Sequence, residues 1–119
     1  MSQIEITQAS QDASGLPVTV LSLAGQLDAN TFLKLQQELE AIGDEGEPRV
    51  VLDCGGLEYI SSAGLGVLQK MTKEFRGSDG DIRLAAVPEK IANVVNLLGF
   101  SKVIKVFGQV SEAVGSFKT

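Results

Sequence analysis

The side chains able to do chemistry in this sequence are carboxylates and hydroxyls. Asp28, Asp53, Glu58, Asp79 and Asp81 offer general acids or oxygen ligands for a hard cation. Asp79 and Asp81 lie in a glycine turn, GSDGD at 77–81, where acidic residues face solvent or shape the turn. Their spacing matches no calcium loop. The chain of 119 residues contains no histidine, which removes the usual general base and the commonest transition-metal ligand. No serine therefore has an imidazole to activate it. The one cysteine, Cys54, has no internal disulfide partner and does not hold a metal alone. It ends the run Val50-Val51-Leu52-Asp53-Cys54 and is expected to be a small core or strand-end residue. GLGV at 64–67 is a lone glycine pair without the lysine of a phosphate loop. The expectation is a chain that is not an enzyme and that carries no metal and no cofactor.

The unusual feature is the stretch from Tyr59 to Gly66, where Ser61 and Ser62 stand together at an expected helix start. One reading is an N-cap with a second polar neighbour. The other is a modifiable serine at an exposed helix terminus. A phosphate adds about −1.5 to −2 charges and three acceptor oxygens. A helix N-terminus favours a simple anion by about 0.3–1 kcal/mol. Modification there leaves the fold intact while changing a docking surface.

Composition sets the class of partner. The net charge is −5, which argues against a general nucleic-acid binder that needs clustered Lys and Arg. An acidic surface aids solubility and also suits a partner with a basic face. With 44% hydrophobic residues the chain has enough apolar material for a core, and its length suits one domain, residues 1–119. No apolar stretch has the length of a transmembrane helix. The opening MSQIEITQ lacks the pattern of a signal peptide, so the expected location is the cytoplasm.

The elements that position these residues follow from periodicity. Residues 3–8 alternate as a short strand, 10–17 read as a polar turn, and 18–24 form a second strand ended by Gly25. Phe32, Leu35, Leu39 and Ile42 make one stripe of a helix, capped by Asp28, Asn30 or Thr31 and ended by Gly43 and Gly46. Val50 to Cys54 form a central strand covered on both faces. Gly55 and Gly56 then loosen the chain, and Leu57, Tyr59 and Ile60 pin a loop to the core. A second helix runs to about Arg76 with Leu68, Met71, Thr72 and Phe75 on one side. Gly64 and Gly66 each cost it about 1 kcal/mol relative to Ala. In a first turn that cost is offset where another backbone approaches closely. Ile82 to Val87 make a strand, Pro88 starts a third helix with Ile91, Val94, Val95 and Leu98, and Gly99 closes it. Val103, Ile104 and Val106 form a last strand, followed by a helix at 110–117. The order β-β-α-β-α-β-α-β-α predicts an α/β fold with a mixed, mostly parallel sheet of four to five strands covered by about four helices.

GLEYISSAGLGVLQ at 56–69 resembles the signature of the bacterial anti-sigma factor antagonists, members of the STAS domain family. GQLDANT at 25–31 resembles the segment between that family's second strand and first helix, and NLLGF at 96–100 is a third match. The resemblance implies a STAS-like fold over nearly the whole chain. It implies an anti-anti-sigma factor that binds an anti-sigma factor which is also a GHKL-type serine kinase, and so regulates transcription indirectly. The ATP belongs to the kinase, and a separate serine phosphatase restores the complex. By position in the motif the phosphorylated residue is Ser62. Ser61 stands where many members have aspartate, which leaves it a competing site, and Ala63 stands where many have Ser or Thr. The resemblance places Asp28, Asn30, Glu58, Ser61, Ser62, Gly64 and Leu65 at the partner-binding surface, with Asp28 supporting recognition by the kinase. The alternative it leaves is a constitutive STAS scaffold, or a regulatory subunit binding a signalling complex or a transporter ATPase. The expected free state is a monomer or weak dimer.

Overall fold

The computed structural model describes residues 2–117. The elements are β1 (Ile4–Ala13), β2 (Leu16–Leu27), α1 (Phe32–Asp44), β3 (Arg49–Ile60), α2 (Ser62–Arg76), β4 (Asp81–Ala85), α3 (Glu89–Leu97), a 3-10 turn (Phe100–Lys102), β5 (Val106–Phe107) and α4 (Val110–Gly115). They build one five-stranded sheet in the order β1-β2-β3-β4-β5. β1 pairs antiparallel with β2, and every other neighbouring pair is parallel. This is the mixed, mostly parallel sheet that the element order predicts.

β3 is the axis of the molecule. Successive side chains of a strand point to opposite faces, so a strand in mid-sheet needs apolar residues in both phases. Val50, Leu52 and Cys54 enter one core together with Leu35 and Leu39 of α1, Leu68 and Met71 of α2, and Ile91 and Val95 of α3. Val51 enters a second, smaller core with Val18, Val20 and Ala85, closed by Ala113 and Val114 of α4. The sheet thus has three helices on one face and one on the other. The stripe Leu35, Leu39 and Ile42 on α1 is buried, as are Leu68, Met71, Thr72 and Phe75 on α2.

Several local expectations are corrected. The polar stretch 10–17 is mostly strand, and only Ser14 and Gly15 form the turn, with φ of 53° and 94°. Positive φ at both central positions is the type I′ form of a two-residue hairpin loop. Pairing in register with β2 then keeps Ser10 and Gln11 extended whatever their side chains. Gly25 does not end β2. It continues the strand at φ 113°, in a conformation that a side chain rarely adopts. Leu57 to Ile60 are strand rather than loop, because β3 runs on beside β2 through two register shifts. Gly56 permits this, since a Cβ there would sit 2.9 Å from the Leu23 carbonyl oxygen.

At the C-terminal end, Val103 and Ile104 follow the 3-10 turn and are not strand. β5 is only Val106–Phe107, while buried Ile104 plugs the core. α4 ends at Gly115, two residues short of the expected span. Asp81 is not in an exposed turn. It begins β4 and is buried, with its carboxylate accepting from Arg76 Nε at 2.8 Å and from Arg83 Nε at 3.0 Å.

Leu52 is fully buried at the centre of the larger core. Leu52→Ala is expected to lower unfolding stability by about 2–5 kcal/mol, measured by urea titration.

Candidate functional site

β2 and β3 are parallel neighbours that end together, with Leu27 opposite Ile60. The residues that follow them emerge side by side at the carboxyl end of the sheet. The Ser61 N–H donates to the Leu27 carbonyl at 2.9 Å, which joins the start of α2 to the end of β2. Asp28 and its loop follow Leu27 directly, so the two sequence motifs meet here.

The two serines have different roles. Ser61 is the N-cap of α2, with extended backbone at φ −102° and ψ 171°. Its Oγ accepts from the Gly64 N–H at 3.3 Å, and the residue is half-buried. Ser62 is the first residue of the helix and is exposed. Among the described residues no hydrogen bond engages its hydroxyl, which faces solvent at a site where a helix favours negative charge.

The two glycines also differ. A Cβ at Gly64 would lie 2.8 Å from the Leu27 carbonyl oxygen and 2.8 Å from Leu27 Cγ. This is the close backbone approach that makes a glycine worthwhile in a first helical turn. Gly66 has nothing within 4 Å of such a Cβ and is exposed. No close approach offsets its cost to the helix. Leu65 is buried in the larger core at 1% exposure. Gly64 and Leu65 therefore seat the helix start, while Ser62 is the member of the motif that reaches solvent.

Asp28 is held by its own loop. Its Oδ1 accepts from the Asn30 N–H at 2.9 Å. The Ser2 hydroxyl beside it, then Asn30 and Thr31, hold the carboxyl below its ordinary pKa, against a smaller opposing effect of desolvation. Thr31 occupies the N-cap position of α1 but does not cap it. Its hydroxyl instead donates back to the Gln26 carbonyl at 2.7 Å and accepts from the Asp28 N–H at 3.0 Å. It is a buried knot inside the loop. Asn30 is exposed, and its side-chain amide donates to Ser2 Oγ at 3.3 Å.

Glu58 lies exposed on the final stretch of β3 and accepts from Gln26 Nε2 at 3.1 Å. Gln26 in turn accepts through Oε1 from the Gln3 N–H at 3.0 Å. Sequence reasoning missed Ser2 and Gln26 as parts of this surface. Gln26 was visible within GQLDANT, but nothing in the linear order shows that it bridges β1 to β3. Asp28 and Glu58 are thus held by neutral donors. Among the described residues the ion pairs are Arg49–Glu47, Arg76–Asp81 and Arg83–Asp81, all elsewhere.

The remaining chemistry is structural. Burial, with the nearby Asp53 charge, pushes the Cys54 thiol up to about 12, so the reactive thiolate is scarce near neutral pH. Asp53 shapes the strand, accepting from the Gly55 N–H at 3.0 Å. Among the described residues no group of three or more His, Cys, Asp or Glu is placed to hold a metal ion. A groove of about 490 Å³ is lined by Glu40, Asp44, Glu74 and Phe75 at the far end of α2 from the serines. No described helix is long and apolar enough to cross a membrane.

The family profile of the STAS domain matches residues 7–113. The chain is 36% identical over 100 residues to the "Putative anti-sigma factor antagonist BtrV" of Bordetella bronchiseptica, covering 84% of this chain and 86% of that protein. It is similar in structure to an anti-sigma factor antagonist from Mycobacterium paratuberculosis, with a TM-score of 0.78 at 23% identity over 94% of this chain and 93% of that one. It is also similar to SpoIIAA, the Bacillus cell fate determinant, in its phosphorylated form. That match has a TM-score of 0.67 at 15% identity and covers 94% of this chain and 100% of that one.

The close approach at residue 64 and the open space at residue 66 give substitutions of opposite sign. Gly64→Ala is expected to destabilise by about 1–3 kcal/mol, and Gly66→Ala to stabilise by about 0.5–1 kcal/mol. Both are read by thermal and urea unfolding. In the same assay Ser61→Ala is expected to cost about 1 kcal/mol through its lost cap. Ser62→Ala should stay within about 0.5 kcal/mol.

Proposed function

The chain belongs to the STAS domain family of anti-sigma factor antagonists, and from that premise we propose that it is a partner switch thrown by phosphorylation of Ser62. In the unmodified state it binds an anti-sigma factor that is also a GHKL-type serine kinase. The sigma factor is then free. The kinase transfers the γ-phosphoryl of its ATP to Ser62 Oγ, the hydroxyl proton passes to a base on the kinase, and ADP leaves. A phosphatase later hydrolyses the ester with water and restores binding. The surface offered to the kinase is Asp28, Asn30, Glu58 and the serine pair, seated on Gly64 and Leu65.

The observation that carries this reading is the division of labour within the serine pair. Ser61 spends its hydroxyl on the helix cap, whereas Ser62 is exposed at the first helical residue. Of the two, Ser62 is the one a kinase reaches without undoing the cap. SpoIIAA, a relative in fold, exists in a phosphorylated form, and this supports the same chemistry here.

Energetics support a switch that leaves the fold standing. At the N-terminus of α2 a phosphate meets the unpaired N–H groups of the first turn, which favour an anion. At an interface the same dianion must be desolvated, which costs several kcal/mol unless a cation pairs with it. Each 1.4 kcal/mol is tenfold in affinity. The carboxylates of Asp28 and Glu58 on the same surface add like charge rather than relieving it.

Incubation with ATP and the GHKL-type serine kinases of its source organism is expected to add one phosphate by intact-protein mass spectrometry. Ser61→Ala should still accept it and Ser62→Ala should not. The phosphorylated protein should bind the kinase at least about tenfold more weakly in calorimetry. Loss of the phosphate only in Ser61→Ala would move the site by one residue. No phosphate with any such kinase, alongside retained binding, would make the protein a constitutive partner.

A further inference from the structure

β1 is an edge of the sheet, and among the described residues its strand partner is β2 alone. It is ten residues long and keeps an unbroken register with β2. Its stretch from Ile6 to Asp12, ITQASQD, carries no proline and no lysine. Sheets ordinarily blunt an edge by shortness, a bulge, proline or lysine, because its unpaired peptide groups are a template for another strand. The opposite edge follows that rule, since β5 has two residues. β1 does not.

The phase of the ladder says which peptide groups are free. The Gln26 N–H donates to the Gln3 carbonyl at 2.8 Å, continuing the β1–β2 register by one pair. Antiparallel pairs alternate between bonded and non-bonded. Odd-numbered residues of β1 therefore bond to β2, and even-numbered residues turn their N–H and C=O groups away from the sheet. Lys34 fixes the phase independently: its Nζ donates to the outward carbonyl of Ile4 at 2.9 Å. That lysine guards the first outward position, next to Gln3 and Gln26. Ile6, Gln8, Ser10 and Asp12 are left.

We propose that this run pairs antiparallel with the same run of a second copy, about a two-fold axis through Ala9. The register follows from the geometry. Outward residues must meet outward residues, so even positions face even positions. Centring the four free positions on themselves sets Ile6 opposite the partner's Asp12 and Gln8 opposite the partner's Ser10. About eight backbone hydrogen bonds result, two for each bonded pair. A register centred on Gln8 would instead require the Ile4 carbonyl that Lys34 holds. In the register centred on Ala9, Thr7 faces the partner's Gln11, and no like charges stand opposite one another. The patch is self-complementary, as a closed two-fold interface must be. A charge of −5 on each chain opposes association, so the dimer is weak and is strengthened by salt. The Asp28–Ser62 surface lies beyond the paired run and stays open to a partner.

Sedimentation equilibrium of the full chain over a concentration series is expected to show mass rising towards twice that of the monomer. Gln8→Pro removes an outward donor from each copy without touching a bond to β2. It should weaken the dimer about tenfold while leaving the far-UV spectrum unchanged. If that proline disturbs folding, Ser10→Lys replaces it. Ala9→Cys places two thiols across the axis in a non-bonded pair with Cα atoms about 4.5 Å apart, within disulfide reach. Mild oxidation should then give a covalent dimer much faster than with Ser78→Cys, an exposed control, and buried Cys54 stays silent. A monomer at every concentration up to about 1 mM, or Ala9→Cys cross-linking no faster than the control, would overturn the proposal. Neither result bears on phosphorylation of Ser62.

Discussion

The structure turns on a single close contact between backbones, where the start of α2 rests on the end of β2. The Leu27 carbonyl accepts from the Ser61 N–H at 2.9 Å, and the same oxygen lies only 2.8 Å from where a Cβ of residue 64 would be. Everything distinctive about the site follows from that contact. It sets the angle at which α2 leaves the sheet and buries Leu65. It leaves Ser61 to satisfy the Gly64 N–H and brings Ser62 to the surface. It also anchors Asp28, the next residue in the chain, beside the helix start. A larger residue at 64 would push these parts apart at once, so the glycine belongs to the site although it is itself buried.

The same arrangement separates two jobs that a single serine would have to share. A capping hydroxyl contributes to stability because it is fixed, and a substrate hydroxyl must be free to enter another protein's active site. With both jobs on one residue, phosphorylation would remove a cap worth about 1 kcal/mol and couple the signal to folding. With adjacent serines, a phosphate on Ser62 would leave the Ser61 cap in place. The carboxylates nearby are restrained without being neutralised. Asp28 is held by its own loop and Glu58 by Gln26.

Much of this was legible in the sequence, and the losses have physical reasons. The stripes of α1 and α2 and the apolar run at Val50–Cys54 are legible because burial imposes period on side chains, whereas on α3 only Ile91 and Val95 of the expected stripe are buried, with Val94 and Leu98 exposed. The strand ends were misjudged because pairing is a backbone property. Ser10, Gln11 and Gly25 look like turn residues, yet Ser10 and Gln11 lie in register with β2 and Gly25 with β1 and β3. The 57–60 segment was read as a loop because Gly55-Gly56 looks like a break. Gly56 instead lets β3 pass close to β2 while the register shifts. Of the site, the serine pair and Asp28 were visible as motifs. The contributions of Ser2, Gln26 and Thr31 were not, since they arise from contacts between segments that only the sheet brings together.

Charge is distributed along the molecule in a way that separates stability from recognition. At the amino ends of β3 and β4, the buried Asp81 carboxylate is gripped by Arg76 and Arg83. Arg83 also lies 3.9 Å over the Phe117 ring and donates to Ser116 Oγ at 2.7 Å. A carboxylate buried there without its arginines would be strongly destabilising, so its charge is committed to holding α2, β4 and α4 together. At the carboxyl ends of β2 and β3 the carboxylates have only neutral donors. A cationic group on a partner gains their full attraction there, because it displaces no arginine. Adding a phosphate to Ser62 raises the negative charge at the end that is not committed to the fold. The electrostatic change of the proposed switch would therefore be confined to the serine end, while the buried ion-pair network stands at the other end of α2.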